Sequence, residues 1–282
     1  MRYFSAINGG VVAIIIFGVA SFFIPGQGPS SDVETVLTVS TFLFAILAGF
    51  FISRLNSRYN QIRDLLVAED ADFLSFYKTA SLFGKKFQKK VEELIEKYYL
   101  LVFDYFHEES YYKVTSKYFL QLYDELGKTK VKKGSLAENS YDDLLVTLEN
   151  IEKSRNGASE IMGERLSKGY WAILFLLSGI IIFSVFFLKV PQLYSQLIAT
   201  FLSSVVILVL LIMRDLENLK LGKNPVVAES GQEILEFLGK LRYYNERDIK
   251  SGYIIVPKSV KKYRVGFHKH GEKQDIRILT NK

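Results

Sequence analysis

Few side chains in this sequence are of types and at spacings that could do chemistry. There is no cysteine, so thiol nucleophiles, thiolate zinc sites and a disulfide framework are excluded. Of three histidines, His268 and His270 stand two apart on one face of an expected strand, and His107 is remote from them. With no third ligand in view, surface histidines are favoured over a metal site. The sequence lacks a phosphate-binding glycine loop, a nucleophile elbow and a metalloprotease helix motif. Neither a cofactor nor an enzymatic activity is expected. Two charged residues are out of place. The apolar stripe at 62, 65/66, 73 and 76 meets Glu69, and the stripe at 144/145, 148 and 151 continues onto Arg155. A charge on an apolar helix face must be paired, hydrogen-bonded or neutralised. Glu69 and Arg155 are therefore expected to form a buried ion pair, the other reading being that helix rotation exposes both.

A third constellation is apolar. Phe42, Ile46 and Phe50 follow one another at i, i+4, i+8 and make a nearly straight bulky stripe. In an oligomer such stripes can ring a pore and gate it by dewetting. From spacing alone, packing against neighbouring helices or lipid is favoured.

The elements that must position these residues follow from where charge is missing. The 282 residues carry 36 Lys+Arg and 30 Asp+Glu, and a mean hydropathy of +0.14 looks ordinary. Residues 3–31, 35–53, 169–188 and 190–213, however, contain no charged side chain. A bilayer core takes about 20 apolar residues per helix. The expected fold is an all-α membrane protein with four transmembrane helices in two hairpins, at about 8–24, 35–53, 169–188 and 193–213. The first run is read as a retained helix rather than a cleaved leader, since it runs on to Ile24 before Pro25-Gly26. Of the 36 basic residues, 35 lie outside the two short connectors. That bias predicts both termini and residues 54–168 on the cytoplasmic side of a plasma or bacterial inner membrane.

Residues 54–168 read as a cytoplasmic helical domain. The second span is expected to continue as a long rod, because no Gly or Pro interrupts it between Ser53 and Gly84. Helices striped by Val91, Ile95 and Tyr98, then by Tyr118, Phe119 and Leu122, should follow. Gly127–Gly134, with four lysines, is read as a loop. A fourth helix, with Ser140 at its N-cap, is expected to run on into the third span. Residues 214–282 form a basic tail whose excess positive charge would suit anionic lipid headgroups. Ser31–Glu34 and Ser230–Glu233 have the spacing of capping boxes. A helix at about 231–246 and short strands at 253–256, 263–267 and 275–280 complete the expectation.

The second span carries a resemblance. Gly49-Phe50-Phe51-Ile52-Ser53, followed by Ser57-Arg58-Tyr59-Asn60-Gln61, resembles the pore-lining helix of bestrophins. Residues 58–99 resemble the bacterial bestrophin-like domain through Arg58, Arg63-Asp64-Leu65-Leu66-Val67, Glu69-Asp70-Ala71-Asp72 and Tyr77-Lys78-Thr79-Ala80. The resemblance implies a homo-oligomeric ion channel, pentameric in that family, with Phe42, Ile46 and Phe50 at its hydrophobic neck. A ring of Arg54 or Arg58 at the inner mouth would favour anions such as chloride. The early proline of that helix is absent, and Asp215 and Glu217 do not form the dense acidic calcium clasp of bestrophins. The implied partners are the bilayer, other copies of the chain and inorganic ions, with no nucleic acid. The alternative is a non-conducting scaffold or sensor whose helical domain binds a partner.

Overall fold

The computed structural model describes residues 5–106, 111–130, 134, 136–220, 224–268, 272 and 274–281. Arg2, His107 and His270 lie outside them, so the proposed histidine pair and the N-terminal charge do too. The chain divides into two compact units. Of the described residues, one unit, the spanning unit, holds those in 5–59 and 165–220, and the other those in 60–164 and 224–281.

Four helices are long and apolar enough to cross a membrane. They are α1 (Ala6–Phe23), α2 (Ser31–Ala80), α6 (Lys168–Leu188) and α7 (Leu193–Glu217). Ser5 caps α1, its side chain accepting from Asn8 N, and Ser167 caps α6 by accepting from Tyr170 N. The buried positions of α1 are all small: Ala6, Gly10, Ala13 and Ser21. A Cβ on Gly9 would stand 2.5 Å from Leu211 Cδ1, and one on Gly10 3.0 Å from Leu208 Cδ1. Small residues thus let α1 and α7 approach closely, as is usual where lipid supplies no hydrophobic drive between helices. Phe44, Ala48, Phe51 and Leu55 of α2 are buried with Leu174, Leu177 and Ile181 of α6 and Val206, Leu210 and Met213 of α7.

In the second unit, residues 60–80 of α2 present Ile62, Leu66, Phe73, Phe76 and Ala80 to the core. Against them lie α3 (Lys85–Tyr105), α4 (Tyr111–Gly127) and α5 (Leu136–Gly163), burying Val91, Ile95, Tyr98, Phe119, Leu122, Leu148 and Ile151. The chain then adds two short helices, α8 (Val226–Glu229) and α9 (Gln232–Phe237), and strand β1 (Tyr243–Asn245). After α10 (Glu246–Ser251) come β2 (Lys262–Gly266) and β3 (Ile276–Thr280). β1 pairs parallel with β2, Tyr244 opposite Val265, and β2 pairs antiparallel with β3, Arg264 opposite Ile278.

Several local expectations fail for identifiable reasons. α2 begins at Ser31 itself, with Glu34 N donating to the Ser30 carbonyl, so Ser31 is not its N-cap. Ser140 lies inside α5, where its hydroxyl bonds back to the Leu136 carbonyl. α5 stops at Gly163 and does not run into α6, which starts afresh at Lys168. The helix expected at 231–246 ends at Phe237, because Gly239 turns the chain with φ +72° and Tyr243–Asn245 pairs as a strand instead. Residues 253–256 form no strand.

Candidate functional site

Along the spanning part of α2 the two faces differ sharply. Phe44, Ala48, Phe51 and Leu55 are at most 6% exposed, whereas Phe42, Ile46 and Phe50 are 66%, 53% and 63% exposed. The open face steps by three and four from Thr35 and Thr38 through Phe42, Ile46 and Gly49 to Ser53. Along these steps it bears hydroxyls at both ends and Phe42, Ile46 and Gly49 between, with Val36, Val39 and Thr41 exposed beside them. Thr35 and Thr38 donate to the carbonyls of Ser31 and Glu34, so both are satisfied without water. α1 offers a contrast: from Val11 to Phe23 every exposed residue is Val, Ile or Phe.

The two arginines that follow part company. Arg54 is exposed. Arg58 is buried and donates Nη1 to the Glu217 carbonyl at 3.0 Å. A cation there offsets the partial negative charge of the α7 C-terminus. The acids after the last span are also engaged. Glu217 Oε1 accepts from Leu166 N at 2.9 Å and Trp171 Nε1 at 3.5 Å. Asp215 accepts from Ala6 N at 2.7 Å and pairs with Arg214 at 2.7 Å. Among the described residues no group of three or more His, Asp or Glu side chains could hold a metal ion.

In the helical unit Glu69 and Arg155 are both 3% exposed. The Tyr98 hydroxyl stands between them, donating to Glu69 Oε1 and accepting from Arg155 Nε at 3.0 Å. Arg155 Nη2 also donates to Thr115 and Ser116, at 3.1 and 3.2 Å. Its guanidinium carbon lies 4.5 to 5.1 Å from the ring centres of Phe119, Tyr112 and Tyr98. Aromatic faces and hydroxyls therefore stabilise the buried cation. Glu69 fares worse. Its Oε2 has no hydrogen-bond donor among the described residues. Burial pushes its pKa up to about 8, with Tyr98 pulling down, Asp70 pushing further up and Arg155 pulling down.

A family model, the Bestrophin-like domain, matches residues 11–226. The chain belongs to the bestrophin-like family. No curated protein and no solved structure matches it. The matched stretch includes the α2 stripe, both arginines, Glu69 and Arg155, and ends before the sheet. Membership agrees with the four apolar helices in making this a membrane protein.

Beyond the residues singled out from sequence, this bestrophin-like chain holds two polar clusters. Asp70 accepts from the Tyr99 hydroxyl at 2.6 Å, the Ser230 hydroxyl at 2.9 Å and Gly231 N at 2.8 Å. Ser230, expected as a helix cap, is drawn to that carboxylate, and Gly231 takes the cap position in the left-handed region. Asp104 is 1% exposed. It accepts from the Tyr243 hydroxyl at 2.7 Å and Asn245 Nδ2 at 3.1 Å, and its other oxygen lies 3.0 Å from His268 Nε2. Burial, then the Asp104 carboxylate, pushes the Tyr243 pKa up. Tyr99, beside Tyr98 on the apolar stripe of α3, was the available signal for the first cluster, since a buried hydroxyl needs a partner.

Proposed function

We propose that the chain assembles into a closed homo-oligomeric ion channel in which α2 faces the axis. Phe42, Ile46 and Phe50 then form an apolar neck, with Thr35 and Thr38 on one side and Ser53 and Arg54 on the other. The observation that carries this reading is the graded open face of α2 beside that of α1, which is wholly apolar from Val11 to Phe23, beyond the exposed Asn8. A lipid-facing helix needs no hydroxyls at fixed steps above and below a bulky girdle. A pore wall benefits from both, because wide polar mouths stay wet and a narrow apolar girdle gates by dewetting. A ring of Arg54 would select anions, and Arg58, held by the α7 carboxyl end, would support the mouth rather than line it. The bias of basic residues supports a cytoplasmic side for both termini and for the helical domain at 54–168. The basic tail is then available to anionic headgroups.

Planar-bilayer recording of purified protein tests this. Phe50→Ala should raise conductance or open probability several-fold, and Arg54→Glu should move the reversal potential in a chloride gradient toward cations. A silent bilayer over a range of salt, pH and calcium, with α2 cross-linking only within one copy, would instead favour the non-conducting scaffold.

A further inference from the structure

The lysine-rich stretches at 85–90 and 128–130 have no part in the pore reading, yet the helical unit brings them together. They line a cleft of about 740 Å3 between the start of α3 and the end of α4. Lys86, Lys89 and Lys90 come from α3, and Lys128 and Lys130 follow α4. Two carboxylates, Glu93 and Glu125, share the cleft. Glu125 is engaged by Lys128 at 2.9 Å. The other four lysines pair with no carboxylate among the described residues, so the cleft carries excess positive charge.

This arrangement costs the helix something. Lys86 and Lys90 are spaced i, i+4, a like-charge pair that opposes helix formation. Lys85 and Lys86 sit in the first turn of α3, where no acidic residue offsets the helix dipole. Phe83 and Phe87, with ring centres 5.6 Å apart, form an apolar wall at the same place.

We propose that this cleft binds a ligand bearing two or more phosphate groups, presented either by a soluble metabolite or by a lipid headgroup. Dense negative charge in a small volume suits several lysine ammoniums converging on one cleft, and the cleft lies in the usual size range of small-ligand sites. Carboxylates spaced along an acidic peptide would reach fewer of the lysines at once. The Phe83–Phe87 wall would hold the organic part of the ligand. The proposal stands apart from the pore, since every residue in it belongs to the helical unit.

The test uses the full chain in phosphatidylcholine nanodiscs, titrated calorimetrically with inorganic tripolyphosphate at low ionic strength. Saturable binding is expected, weakened by Lys86→Glu/Lys90→Glu about tenfold or more, equivalent to ~1.4 kcal/mol. Lys86→Gln/Lys90→Gln should lose less, and Lys258→Glu, an exposed lysine outside the cleft, should bind as the wild type does. Matching thermal unfolding curves would establish that the variants fold. Nanodiscs containing phosphatidylinositol bisphosphate separate the sources. Loss of tripolyphosphate binding in them, restricted to the wild type, assigns the site to a headgroup, and unchanged binding assigns it to a soluble phosphate. The proposal is overturned if neither probe binds saturably, if the charge reversal binds equally well, or if a charge-matched oligoglutamate displaces tripolyphosphate as effectively.

Discussion

Glu69 and Asp70 are neighbours on α2, the first buried and the second partly buried, and each receives a hydroxyl from one of two neighbouring tyrosines, Tyr98 and Tyr99. Their surroundings differ in the number of donors. Asp70 collects three, two of them from the turn at Ser230–Gly231. Glu69 has Tyr98 on one oxygen and none on the other among the described residues. Burial raises the pKa of both. The donors around Asp70 work against that rise, while Glu69, beside Asp70 and with one donor, reaches about 8. Two carboxylates one residue apart thus take different parts. Asp70 ties α2 to a distant turn, and Glu69 is a carboxyl held near its protonated form beside a buried guanidinium.

The largest effect should come from breaking the Glu69 side at its cation. Arg155→Met removes hydrogen bonds to Tyr98, Thr115 and Ser116 and contacts with three aromatic rings. With Glu69 held near its protonated form, the loss leaves buried hydroxyls without a donor rather than a bare charge, and should cost about 1–3 kcal/mol for each group left unpaired. Thermal unfolding of the full chain in detergent, followed by circular dichroism, would read it. A change within about 0.5 kcal/mol would mean that Arg155 contributes nothing net over a packed apolar side chain.

The Asp70 side breaks at Gly231. Its φ of +76° disfavours any L side chain, and a Cβ there would stand 2.1 Å from Tyr99 Cε1. Gly231→Ala must displace the ring that donates to Asp70, at a cost of about 2 kcal/mol. Amide exchange should quicken in residues 66–73 and 226–238 together if the tie is real. Acceleration confined to the turn would show that Asp70 is indifferent to it.

Much of this was legible in the sequence, but unevenly. The four spans announce themselves because charge is excluded from long runs, a signal that needs no knowledge of neighbours. Glu69 and Arg155 stood out because each breaks an apolar stripe. Tyr98 did not, since a tyrosine fits such a stripe and hides its hydroxyl within it. Asp70 lies one residue off the stripe and reads as solvated. Its partners Ser230 and Gly231 are far along the chain, and the local pattern there suggested a capping box. Short-range periodicity reports which face is buried, not which distant turn returns to meet it.

The smallest effect is the most diagnostic of the difference between the two carboxylates. A carboxyl whose pKa is 4.5 unfolded and about 8 folded retains in the native state a proton that the unfolded chain releases. Stability from this group is fully present below about pH 4.5, declines as pH rises, and is lost once pH passes about 8. The steepest slope is about 1.4 kcal/mol per pH unit. Glu69→Gln keeps the shape of the protonated form and cannot ionise. It should match the wild type within about 0.5 kcal/mol near pH 5 and be the more stable protein by about 1 kcal/mol or more near pH 8. Asp70→Asn, which sets an amide NH2 against a group that already donates to the carboxylate, should instead be the less stable protein at both pH values. If Glu69 instead stays ionised against Arg155, Glu69→Gln would destabilise the helical unit at both pH values, and Glu69 would then resemble Asp70 as a charged tie.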